Sequence, residues 1–247
     1  MKKSLKLILS AFAFSSAFLF VACTPPNYYS IDAYPSDSNI GSVAESTLIN
    51  SNPQAEGTKI TLNARENFPD TNPFLCWVKD HEDIVSTASS IDLTYNAKSQ
   101  GRYTAVFKET NLNGMMYSVL SNIKYTNSGA YFTSIKYTVE YARTSTGSDV
   151  FSEFNSGELF VNNAYSPKKD KVLYFGEPGN NYYYKIRVNL SLTSGNTTTS
   201  ISFEFSELLE QDNFGTKENY TITKDYTGYG NLTLIFSKVN TDTFSAQ

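Results

Sequence analysis

Long stretches of this chain alternate apolar and polar residues with a period of two. The clearest sets Tyr182, Tyr184, Ile186, Val188, Leu190 and Leu192 against Tyr183, Lys185, Arg187, Asn189, Ser191 and Thr193. Another sets Tyr131, Thr133, Ile135, Tyr137, Val139 and Tyr141 against Phe132, Ser134, Lys136, Thr138, Glu140 and Ala142. Shorter runs begin at Lys59 and cover Gly101 to Lys108, Ile201 to Ser206 and Leu232 to Ser237. Successive side chains of a strand point to opposite faces, so each run predicts a strand with one face on a core and one in water. Antiparallel sheets tolerate that asymmetry best.

Turn-forming clusters separate the runs: Thr144 to Ser148, Pro178 to Asn181, Ser194-Gly195-Asn196 and Tyr226 to Asn231. No long stretch carries a 3.6-residue period. The expectation is an all-β chain forming an antiparallel β-sandwich, as one large sandwich or two small ones. A soluble barrel is the alternative closure. An outer-membrane barrel needs an apolar outward band, and these outward faces are polar. The least patterned crossing, from 155 to 171 with Pro167, Lys168, Lys169 and Asp170, marks the place for an internal boundary.

The N-terminus reads differently. Lys2, Lys3 and Lys6 precede an uncharged, mostly apolar run from Leu7 to Ala22. A positive start, an apolar stretch and a small residue at its end describe an export signal over residues 1–22. The run falls short of the ~20 residues of a membrane-spanning helix. Phe20-Val21-Ala22-Cys23 resembles the lipobox of bacterial lipoproteins, with Phe20 where the commonest pattern has Leu. That resemblance implies cleavage before Cys23, a diacylglycerol on its thiol and an acyl chain (palmitate) on the new amino group. It also implies membrane contact through lipid. By the same family's sorting rule, Thr24 in place of Asp points to the outer membrane of a double-membrane cell. Ordinary cleavage near Ala22, with Cys23 an incidental thiol, is the alternative.

Residues 23–56 mix Pro25, Pro26, Pro35 and Pro53 with serines and asparagines, a composition that builds no core. They are expected to form a flexible, disordered stalk, with Ile40 to Ile49 docking as a short helix or edge element. The β-sandwich is then expected over 57–247. Without the signal, 17 basic residues face 24 acidic ones, a net charge near −7. That balance argues against a nucleic-acid partner and offers no polybasic membrane patch.

Candidate chemistry is sparse. Cys23 and Cys76 are the only cysteines, so a lipidated Cys23 leaves no disulfide framework. Cys76, in Phe74-Leu75-Cys76-Trp77-Val78, reads as a small buried hydrophobe. The single histidine, His81, stands among Asp80, Glu82 and Asp83. Adjacent positions diverge on a helix or a strand, so a solvated charged turn is expected there, with no metal set and no cofactor. No G-x-S-x-G elbow occurs. A glycosidase needs only two carboxylates, and nothing in the sequence selects a pair.

Tyrosine is the remaining signal, with 18 of them beside 17 phenylalanines. Tyr183, and Tyr226 with Tyr229 in a glycine-rich segment near Asn231, are the candidate binding surface for protein or glycan. Tyrosine also forms strands well and rims cores, which is the plainer account of each ring taken singly. The functional expectation is a non-catalytic envelope lipoprotein, not an enzyme. Its β-rich body binds protein or glycan partners at the cell surface or in the periplasm. A glycan-degrading enzyme and a purely structural envelope component are the alternatives.

Overall fold

A computed structural model of the chain describes residues 26–45, 52–108, 115–127, 129, 132–144, 150–177, 180–226 and 228–244. The strongest alternation becomes burial directly. Tyr184, Ile186, Val188, Leu190 and Leu192 are buried, while the residues between them face outward. The chain then turns through Gly195, at φ 57°, and returns with Ser194 opposite Thr197.

The first half supplies β1 (Tyr28–Tyr29), β2 (Ile31–Pro35), β3 (Gly41–Glu45), β4 (Gln54–Ala55), β5 (Lys59–Glu66), β6 (Phe74–Lys79), β7 (Asp83–Ser86), β8 (Ser90–Thr94) and β9 (Gly101–Phe107). A sheet in the order β2-β9-β6-β7 packs on one in the order β3-β5-β8. Ile60, Leu62, Trp77, Tyr95, Tyr103 and Phe107 fill the space between them. The β2–β9 ladder is parallel and the others in these two sheets are antiparallel.

The second half supplies β10 (Tyr117–Thr126), β11 (Ser134–Thr144), β12 (Ser152–Leu159), β13 (Ala164–Tyr165), β14 (Leu173–Tyr174), β15 (Gly176–Glu177), β16 (Asn180–Asn181), β17 (Tyr183–Ser194), β18 (Thr197–Glu204), β19 (Asn219–Tyr226) and β20 (Gly230–Lys238). A one-turn helix, α1 (Gln211–Phe214), precedes β19. Here β13-β10-β20-β19, with β14 also on β10, faces β12-β11-β17-β18 across a second core. The crossing from 155 to 171 leads from β12 in one of these sheets to β13 in the other. The change from the first sheet pair to the second falls between Phe107 and Tyr117.

The sheets reach back into the segment expected as a stalk. Ile31–Pro35 pairs with Gly101–Phe107, Gly41–Glu45 forms an edge strand on β5, and Glu56 donates to the Asn27 carbonyl at 2.9 Å. Described strands therefore start at Tyr28, well before 57. The polar residues that suggested a stalk serve as backbone partners instead. Ser36 Oγ accepts from the Phe107 N–H, and Asn52 Nδ2 donates to the Ile31 carbonyl.

A second departure lies in β6 and β9, where the expected polar face of β9 is absent. Trp77, Tyr103, Ala105 and Phe107 enter the first core, while Cys76, Val78 and Val106 enter another cluster with Tyr117, Val119, Tyr174 and Val239 of the second half. A sheet covered on both sides reads as a continuous apolar run, which is what Phe74 to Val78 is. Cys76 is fully buried, and burial holds its thiol protonated, well above its ordinary pKa. Among the described residues no helix is long and apolar enough to cross a membrane.

Candidate functional site

The β19–β20 hairpin ends in a turn with Gly228 at φ 84° and Gly230 at φ 114°, values that favour glycine. A Cβ on Gly230 would collide with the Thr126 carbonyl oxygen, so glycine lets β20 start flush against the end of β10. The turn is held from the side. The Tyr229 carbonyl accepts from the Tyr125 hydroxyl and from Asn127 Nδ2, the latter at 2.7 Å. Asn127 Oδ1 accepts from the Gly129 N–H at 2.8 Å, and the Asn127 N–H donates to Asn162 Oδ1 at 3.2 Å. Asn162, itself at φ 63°, donates its backbone N–H to the Tyr125 carbonyl. Both asparagine side chains are thus committed to holding the loops.

Beside this scaffold, strand register brings Thr126 of β10, Asn231 of β20 and Asp225 of β19 into one row. Their neighbours Tyr125 and Leu232 are buried, so the row lies on the outer face of the sheet. With strands ~4.8 Å apart, it spans about 10 Å. Among the described residues, the Asp225 carboxylate and the Asn231 side-chain amide have no hydrogen-bond partner. Together with Asn127, Asn162 and Tyr226 the row lines an open, largely polar cleft of about 620 Å³. A carboxylate only accepts, an amide donates and accepts, and a hydroxyl does both. The cleft therefore suits a ligand rich in donors.

The three tyrosines expected at a binding surface do not form one group. Tyr226 lines the cleft, and its ring packs on Phe203 at 5.7 Å and on Tyr229 at 5.6 Å. Tyr229 is exposed in the turn beside it. Tyr183, also exposed, lies toward the other end of the sandwich. Its neighbour Tyr184 donates to the carbonyl of Tyr174, which pairs with Tyr117 at the start of β10, whereas the cleft is at the end of that ten-residue strand. Cys23 and Thr24 lie outside the described residues. Sequence reasoning missed Thr126, Asn162, Asp225 and Asn231 as a set. The available signal was polar side chains flanking the glycines of a turn, with Thr126 joined only by pairing across 105 positions.

His81 also differs from expectation. With Asp80 at φ 51° and His81 at φ 61°, the β6–β7 turn directs the imidazole inward, not to solvent. Its ring stacks on Tyr174 at 4.1 Å, Nδ1 shares a 2.7 Å hydrogen bond with the Tyr117 hydroxyl, and Nε2 shares one of 3.1 Å with Tyr34. The neighbouring carboxylates turn elsewhere. Asp80 accepts from the Arg102 N–H, and Glu82 accepts from the Tyr141 hydroxyl. Burial, then the Arg102 guanidinium, push the His81 pKa down to about 4 against the pull of Asp80, with Arg143 adding a smaller share. Unfolded histidine titrates near ~6.5. The unfolded chain thus binds more protons over that interval, so stability is fully present above pH ~6.5 and declines as pH falls toward 4. After solvent screening of a partly buried ring, the expected loss is about 1 kcal/mol. Urea denaturation at pH 7.5 and 4.5 checks this: the decline shrinks in His81→Gln, and an identical decline in both proteins contradicts it.

Among the described residues, no group of three or more His, Cys, Asp or Glu side chains is placed to hold a metal ion. In comparisons with known proteins, no family model, no curated sequence and no solved structure matches the chain.

Proposed function

We propose that this chain is a non-catalytic lipoprotein of a bacterial envelope, anchored through Cys23, whose β-rich body holds a protein or glycan ligand in the cleft beside the β19–β20 hairpin. The observation that carries the binding half is the pair of unpartnered polar side chains, Asp225 and Asn231, set in a surround already pinned by Asn127 and Asn162. The loops around the cleft are held before a ligand arrives, which limits the freedom they lose on binding it. Asp225 is the one acid among the described lining residues, and hydrolysis by paired carboxylates needs a second within ~5–9.5 Å. That favours binding over glycan cleavage.

The anchoring half rests on the signal-like residues 1–22 and on Phe20-Val21-Ala22-Cys23. Two or more acyl chains give a stable hold where one gives only reversible contact, and Thr24 favours the outer membrane. Cells fed labelled palmitate are expected to label the wild-type chain. Cys23→Ala is expected to lose the label and leave the membrane fraction, and a labelled, membrane-bound alanine variant overturns the anchor. For the cleft, the full chain is screened against envelope proteins and glycans, with Asn231→Ala weakening the ligand found by at least about tenfold, ~1.4 kcal/mol. Equal binding by the variant removes the cleft from the reading.

A further inference from the structure

Resting on the reading of this cleft as a binding site, we infer that its ligand is a neutral, hydroxyl-rich saccharide, not an acidic glycan or a peptide. The row Thr126–Asn231–Asp225 presents a hydroxyl, an amide and a carboxylate side by side. Sugar hydroxyls both donate and accept, so one face of a saccharide can satisfy all three, with the carboxylate taking two adjacent hydroxyl donors. A ligand bearing its own carboxylate would meet Asp225 with no cation among the described lining residues to offset it. The nearest cation on that face of β10 is Lys124, opposite Thr233 and one row back from the cleft.

A peptide fits poorly for two reasons. Among the described lining residues none is aliphatic, so the cleft offers no pocket for the buried side-chain anchors that carry peptide and protein recognition. Nor is the row itself a strand edge: it is made of side chains on the sheet face, and only Asp225 belongs to β19, the outer strand. The cleft sits on the face of β10, β20 and β19, and its prominent carbonyl, that of Tyr229, already accepts from Tyr125 and Asn127. The Tyr226 ring turns to the inner side of the sheet, where it packs on Phe203, so the row itself presents polar groups alone.

The test uses the purified full chain and matched probes: neutral gluco-, galacto- and manno-oligosaccharides, the corresponding uronic-acid oligosaccharides, and an arginine-rich peptide, each titrated by calorimetry. At least one neutral oligosaccharide is expected to bind at least tenfold tighter than its uronic-acid counterpart. Asp225→Asn is expected to narrow that gap, and Asn231→Ala to weaken neutral binding tenfold or more. Thr221→Ala, two rows away on the same face, serves as the control and leaves both affinities unchanged, with melting curves confirming that all variants fold. Preferential binding of the uronic-acid set, or of the peptide in a manner abolished by Asp225→Asn, overturns the ligand class and leaves the cleft standing. Binding of no probe, or binding indifferent to Asp225→Asn and Asn231→Ala, overturns the inference and the cleft reading together.

Discussion

Replacing Trp77 by alanine is expected to lower the free energy of unfolding by about 3–5 kcal/mol, the cost of emptying a buried aromatic site. Trp77 has no exposed surface, packs on Phe74 at 5.9 Å, and stands where β6 meets the opposite sheet. Domains of this kind have only ~5–15 kcal/mol in total, so the variant sits near the limit of folding. Trp77→Phe separates packing from hydrogen bonding. The indole N–H has no partner among the described residues, so phenylalanine removes an unpaired buried donor while keeping a ring in place. It is expected to cost less than half as much. Urea denaturation with comparable slopes measures both, and an alanine variant within about 1 kcal/mol of wild type would contradict this account of the core.

Gly230→Ala carries the second large effect because it couples stability to the cleft. At φ 114° an alanine is strained by about 1–3 kcal/mol, and its methyl group also meets the Thr126 carbonyl. Relief requires β20 to move away from the end of β10. That movement withdraws Asn231 from the row with Thr126 and Asp225. A fall of several degrees in Tm is expected, together with loss of whatever ligand the cleft holds. Gly228→Ala is the informative comparison: its φ is 84° but its Cβ would stand in open space. It should cost backbone strain alone and spare the row. If Gly230→Ala melts and binds like wild type, glycine is not what sets the cleft.

The strands easiest to read in the sequence are those whose partner is near and whose outer face is wet. β17 and β18 are joined by two residues and show their period of two without interruption. The same rule fails for β9, since Val106 looks polar-faced by position yet packs on residues of the second half. Alternation reports one wet face and is silent when both are covered. β2 is obscure for the opposite reason. It is a short edge strand in which only Ile31 is buried, and its partner β9 lies some seventy positions away. Composition there reflects exposure, and pairing is what orders it. His81, and Thr126 in its row with Asn231 and Asp225, share that difficulty, because their neighbours come from elements distant in the chain. Tyr226 and Tyr229 are visible from the sequence as unusual residues in a glycine-rich turn, but the polar row beside them exists only once the ladder is formed.

The wall formed by β6 and β9 has a consequence for the order in which the protein is made. Cys76, Val78 and Val106 are covered by Tyr117, Val119, Tyr174 and finally Val239. The strands they belong to leave the ribosome long before Val239 does. At about 5–20 residues per second, on the order of 10 s separates Phe107 from Val239 in synthesis. A first half that folded in that interval would present Cys76, Val78 and Val106 as an apolar face without its cover.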